Sequence, residues 1–191
     1  MCGDALAREP YRWGDGRVHG VLGAAFGWCT RTGFQVGGNV VCAETTLGMD
    51  VSLPRRHDLH WLTELGFGGV GSIRWGYDTQ GEQTSTGGGS FVVRTLFGRD
   101  FISSVPSLPP WETAVLFWRF GGEFKPMWAF GRWTYGVHGV VDIGTRVVSR
   151  FELGLRVLAG ADTVRVAGSD YSAVDWTFMV GTQIFTRFVI R

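Results

Sequence analysis

Eight acids and seven arginines in this sequence are spaced as if each must meet a counter-charge. The acids are Glu44, Asp50, Glu64, Asp100, Glu123, Asp142, Glu152 and Asp162. The bases are Arg17, Arg74, Arg94, Arg119, Arg146, Arg156 and Arg187, and Lys125 is the only lysine in the chain. Guanidinium groups pair bidentately with carboxylates and tolerate burial better than ammonium groups. Such a set suits an internal ion-pair network, with Glu44, Glu64, Arg94, Arg119, Asp142, Arg146 and Arg156 at its heart. Catalysis has weaker support. His138 and Asp142 share one face of a strand-like segment, with His19 a candidate neighbour, and a Ser–His–carboxylate set is what acyl transfer needs. His57 and His60 lie near a turn and fit the surface and the network. The four histidines show no ligand spacing, so neither a metal nor a cofactor is expected.

Cys29 and Cys42 bracket a Gly- and Asn-containing stretch, and their spacing suits a disulfide across the neck of a hairpin loop. That bond would imply an oxidising compartment. Cys2 is left over: a free thiol, an intermolecular link or the acceptor cysteine of a lipoprotein.

The elements that must hold these groups are strands. From Val41 to Leu53 the odd positions run Val41, Ala43, Thr45, Leu47, Met49, Val51 and Leu53, and the even positions are polar or small. Alternate side chains of a strand point to opposite faces. The same split recurs in Arg17–Trp28, Leu59–Tyr77, Ser90–Phe101, Glu112–Phe124, Trp133–Val147, Phe151–Asp162 and Trp176–Arg191. The segments predict eight antiparallel strands. Short connections (Pro54–Asp58, Ser149–Arg150) alternate with longer ones (30–40, 78–89, 163–175). Two break the rule: Ile102–Trp111 is long and Pro-rich, and Lys125–Arg132 is short. Residues 1–16 read as an irregular leader and residues 17–191 as one domain.

Composition narrows the class. The formal net charge is +1, which gives no basic footprint for nucleic acid. No run of 18 apolar residues exists, so no transmembrane helix is expected. No signal peptide is visible, and export would imply that one had been removed.

Three features choose which face looks outward. Twelve glycines share the charged face: Gly23, Gly27, Gly48, Gly66, Gly68, Gly98, Gly121, Gly136, Gly144, Gly154, Gly160 and Gly181. A crowded interior needs small residues there, and a solvated face does not. The charges on that face nearly balance, and only Arg99 falls on the apolar face. Aromatics gather at the ends of the apolar face: Trp28, Trp75, Tyr77, Trp133, Tyr135 and Trp176 at the longer-loop end, and Trp61, Phe101, Phe151 and Phe188 at the turn end. Trp118 sits mid-segment. Paired girdles are what the interfaces of a bilayer select. The expected fold is therefore all-β, an eight-stranded antiparallel up-and-down transmembrane barrel with its apolar face toward lipid.

In strand number, alternation, girdles and charged interior, residues 17–191 resemble the small outer-membrane β-barrels of the OmpA transmembrane-domain and OmpX type. The resemblance implies a bacterial outer-membrane location. The ending departs from the family's terminal Phe: Phe188 is followed by Val189-Ile190-Arg191, leaving Gly181, Ile184 and Phe188 as remnants of an assembly signal. Membrane lipid, including lipopolysaccharide, is the expected partner, with protein partners reached through loops or periplasmic segments. A structural, anchoring or loop-binding role ranks first. A narrow channel for ions or small solutes ranks second. A lipid-modifying enzyme follows, because the apolar faces carry Thr but no His, Glu or Asp. A soluble lipocalin-like barrel would need the faces inverted.

Overall fold

A computed structural model of the chain describes residues 18–33, 38–53, 56–73, 86–102, 115–129, 132–147, 150–165 and 174–190. The leader 1–16, Arg17, Arg74, Trp75, Tyr77 and the Pro-rich link after Ile102 lie outside the described residues, as does Cys2.

Eight strands follow one another: β1 (Val18–Gly33), β2 (Gly38–Leu53), β3 (Arg56–Ile73), β4 (Thr86–Ile102), β5 (Val115–Ala129), β6 (Arg132–Val147), β7 (Phe151–Arg165) and β8 (Val174–Ile190). Each pairs antiparallel with its sequence neighbour, and β1 pairs with β8, so the sheet closes. The expected fold class is borne out in strand number, order and closure. Closure leaves no edge strand with unpaired backbone groups.

The stagger of the barrel can be read from the pairing. Beginning at Trp61 and stepping through Phe97, Phe120, Val141, Val157, Thr182, Trp28 and Val41, the path returns to β3 at Gly71, ten residues further on. For eight strands a stagger of this size goes with a tilt of roughly 40–45°. The interior is then narrow enough for side chains to fill.

Seven of the eight described strands are longer than the sequence segments, β3 being the exception. β1 and β2 run on so that only residues 34–37 separate them. The expected loop from Lys125 to Arg132 is mostly strand, because β5 continues to Ala129 and β6 begins at Arg132. Pro126 obscures this in the sequence, since it cannot donate to a ladder. It faces outward at a break in the β4–β5 pairing, between Ser90↔Met127 and Val93↔Phe124.

Alternation sets the layers. Outward positions carry large apolar side chains with much of their surface exposed, from Phe97 at 36% to Phe67 and Trp176 at 66%. Inward positions carry the charged groups, small residues and a few buried apolar side chains, among them Leu62, Leu96, Phe117, Leu158 and Phe185. The twelve glycines expected inward are all there, and at each a Cβ would lie closer than 3.0 Å to a neighbouring atom. Outward Gly69, Gly71 and Gly89 face open space.

Two aromatic belts surround the barrel. Trp118 and Trp128 both point outward from β5, ten residues apart. That spacing is about 33 Å of strand, or about 24 Å along the axis at this tilt. Trp128 contacts Trp133 with ring centroids 5.0 Å apart, and Phe124 stacks on Tyr135 at 6.0 Å. Trp118, expected mid-segment, is the fourth residue of β5 and belongs to the turn-end belt with Trp61, Phe101, Phe151 and Phe188. Its ring stacks on Phe120 at 5.4 Å.

Candidate functional site: a closed ionic interior

All eight expected carboxylates are buried inside the barrel. Strand alternation delivers each one inward, and closure brings residues from every strand within reach of the axis. Of the seven expected arginines, Arg94, Arg119, Arg146, Arg156 and Arg187 join them. Arg17 and Arg74 fall outside the described residues.

The middle of the interior is built on three guanidinium groups. Arg94 donates to Glu64 at 2.7 Å and through Nε to Glu123 at 2.9 Å, and also binds Glu44. Arg156 forks onto Asp142 at 2.7 and 3.0 Å and reaches Glu44 at 2.8 Å. Arg187 donates to Glu64 at 2.7 Å and binds Asp142. Glu64 thus collects Arg94, Arg156 and Arg187. A charge taken from water costs several kcal/mol after relaxation. Shared bidentate pairing is what makes burying seven such residues in the middle group tolerable.

Toward the turn end, Arg119 grips Glu152 with two bonds of 2.7 and 2.9 Å. Arg146 joins Asp100 at 2.9 Å and also binds Glu152. His60 lies between Asp50 and Asp100 at 3.2 and 3.4 Å. Arg187 links this group to the middle through Glu152 at 3.6 Å. Toward the loop end, His138 lies between Glu123 at 3.1 Å and Asp162 at 2.8 Å. The network therefore runs along most of the barrel axis.

Aromatic rings fill what the charges leave. Phe117 and Phe185 sit 6.2 Å apart, with Arg119 4.5 Å from the first ring and Arg187 4.3 Å from the second. Their room comes from Gly144 and Gly154, register partners of β6 and β7. A Cβ on either would meet the Phe117 or Phe185 ring tip at 2.7 Å. A gap beside Glu44, Glu64, Arg156 and Arg187 has no room for a water molecule.

Arg31 and Lys125 are interior cations that the sequence reading missed. Arg31 binds Asp162 at 2.7 Å, and Lys125 lies 3.5 Å from Glu44. Continuing the two-residue parity of β1 and β5 past Trp28 and Phe124 would have placed both. Trp128, missed for the same reason, adds to the loop-end belt.

Two expectations change. Cys29 and Cys42 are free thiols whose sulfurs are 4.0 Å apart, against about 2.05 Å in a disulfide. They are not register partners: Cys29 faces Val40 and Cys42 faces Gly27, so the pair is diagonal. The catalytic grouping also dissolves. His19 faces Asp50 near the turn end, far from His138. Both ring nitrogens of His138 are taken by carboxylates, leaving neither to activate a hydroxyl.

No protein-family model matches the sequence, and no curated protein matches it. Among solved structures, the crystal structure of Neisserial surface protein A (NspA) aligns with a TM-score of 0.45 and 10% sequence identity. The alignment covers 90% of this chain and 96% of that one.

Proposed function

We propose that the chain is an integral β-barrel of the bacterial outer membrane, sealed by its own side chains, with a structural, anchoring or loop-mediated binding role. One observation carries the reading: the wall is apolar outside and ion-paired inside. Soluble monomers rarely expose apolar patches beyond a few hundred Å², and a soluble barrel places these faces the other way round. Among the described strand side chains, Arg99 is the one charge pointing outward. It lies in the turn-end belt, its guanidinium 5.4 Å from the Phe101 ring. An interfacial arginine costs little there. The axial spacing of Trp118 and Trp128 matches an apolar band of about 25 Å.

The same interior argues against conduction. A channel needs a hydrated path and, for selectivity, a ring of one charge sign. Here acids and bases alternate and touch. Membrane lipid, including lipopolysaccharide, would then be the principal partner. Protein partners would meet the connections at 34–37, 74–85, 130–131 and 166–173, which lie outside the described residues.

Two measurements test this reading. The protein should require detergent to remain monodisperse, and a stable monomer in plain buffer would overturn the membrane placement. In planar bilayers it should be electrically silent, and steady open steps would overturn the sealed interior.

A further inference from the structure

Sulfur atoms gather at the loop end of the interior. Cys29 and Cys42 are buried there, 4.0 Å apart. Met179 packs in the same buried cluster as both thiols. It is the diagonal neighbour of Cys29 across the β1–β8 pair, where Cys29 faces Gly181 and Met179 faces Arg31. Gly181 makes room for the Cys29 sulfur, which lies 2.2 Å from where a Cβ at that position would sit. Met127, from β5, is also buried, with its sulfur 3.7 Å from the Arg31 guanidinium. The remaining described methionine, Met49, faces outward.

The sulfur separation is informative. Two thiolates held about 2.3 Å from one metal ion lie about 3.8 Å apart at a tetrahedral angle, about 4.0 Å at a trigonal angle and about 4.6 Å when linear. The 4.0 Å between the two thiols, which are in hydrogen-bonding contact, falls within this range, so both could reach one ion with little movement. A trigonal site needs one more ligand, and Met179 supplies a thioether in the same cluster. Thiolate and thioether together select soft cations. Among the described residues no group of three or more His, Cys, Asp or Glu is placed to hold a metal, which leaves zinc without its usual ligand set.

We infer that Cys29, Cys42 and Met179 form a binding site for a soft monovalent d10 cation, copper(I), with silver(I) as its redox-inert analogue. Binding forms two metal–thiolate bonds and one metal–thioether bond and releases the two thiol protons. No electron is transferred. The bound unit carries one net negative charge, and Lys125 and Arg31 both act electrostatically on the two sulfurs. Arg31, two residues nearer the loop end of β1, is bound to Asp162.

The test uses the full chain carrying Cys2→Ser, folded in detergent and titrated anaerobically with silver(I) against a competing chelator. One equivalent should bind, and X-ray absorption should report three sulfur neighbours. Loss of an outer partner of a metal site costs about 10–100-fold in affinity, so Cys29→Ser or Cys42→Ser should cost at least about 100-fold and Met179→Leu about 10-fold. Heat-modifiable gel migration should stay that of the folded barrel in each variant. Four results would overturn the site: no stoichiometric uptake by protein with two titratable thiols, uptake unchanged without both cysteines, a shell of only two sulfurs, or a Cys29–Cys42 disulfide in protein isolated from membranes.

Discussion

Arg94 and Glu64 face each other as register partners of β4 and β3, and their side chains close on one another at 2.7 Å inside the barrel. The pair is one arm of a larger arrangement, because Glu64 also receives Arg156 and Arg187. Glu64→Leu should therefore strand three buried cations. Removing one partner of a buried pair costs about 3–5 kcal/mol, and urea unfolding in lipid vesicles should register a loss of that order. A loss below that of an outward Thr95→Ala control would show that Glu64 is not central.

Arg94→Lys tests geometry at constant charge. Arg94 spreads its donors over Glu44, Glu64 and Glu123. A lysine presents one compact ammonium and cannot span the three. Charge-assisted hydrogen bonds are worth about 1.5–3 kcal/mol each, and the variant should lose at least one. Unfolding stability equal to wild type would count against a spanning role for Arg94.

The Gly144–Gly154 notch should resist filling. A methyl at residue 144 would meet the Leu153 carbonyl oxygen at 2.5 Å and the Phe117 ring at 2.7 Å. Overpacking costs about 1–3 kcal/mol, so Gly144→Ala should unfold at lower urea concentration. Adding Phe117→Leu should rescue only part of the loss, because the carbonyl clash remains. Full rescue would place the strain in the ring alone.

Charge on the outer wall should be costly in proportion to depth. Leu65 lies outward, midway along β3 between Trp61 and Gly69. An arginine at the bilayer midplane costs about 2–4 kcal/mol and near the interface about 0–1. Leu65→Arg should accordingly destabilise the folded barrel, while Arg99→Leu should leave it within about 1 kcal/mol of wild type. Equal effects at the two positions would contradict the assigned depth.

Much of this was legible in the alternation. Parity alone placed eight carboxylates, five arginines and twelve glycines on the correct face, because register in a barrel with two unlike sides is strongly fixed. What escaped lies where alternation is masked. Lys125 and Trp128 flank Pro126 on a strand that reads as a turn. Arg31 follows Cys29 on a strand that outlasts its apolar pattern. The disulfide is not shown: sequence spacing says nothing of stagger, and β1 and β2 pair so that the cysteines sit diagonally with their sulfurs 4.0 Å apart. Which carboxylate meets which arginine depends on closure across strands far apart in sequence, as with Arg156 and Glu44.

The native tryptophans give the most direct test of the apolar wall. Trp28, Trp61, Trp118, Trp128, Trp133 and Trp176 all point outward in two belts. Fluorescence quenching in proteoliposomes made with brominated phospholipids reads their contact with lipid by depth. The account predicts strong quenching, greater from bromines near the interface than from bromines near the chain ends. Quenching no greater than that of a water-soluble protein added to the same vesicles would contradict it.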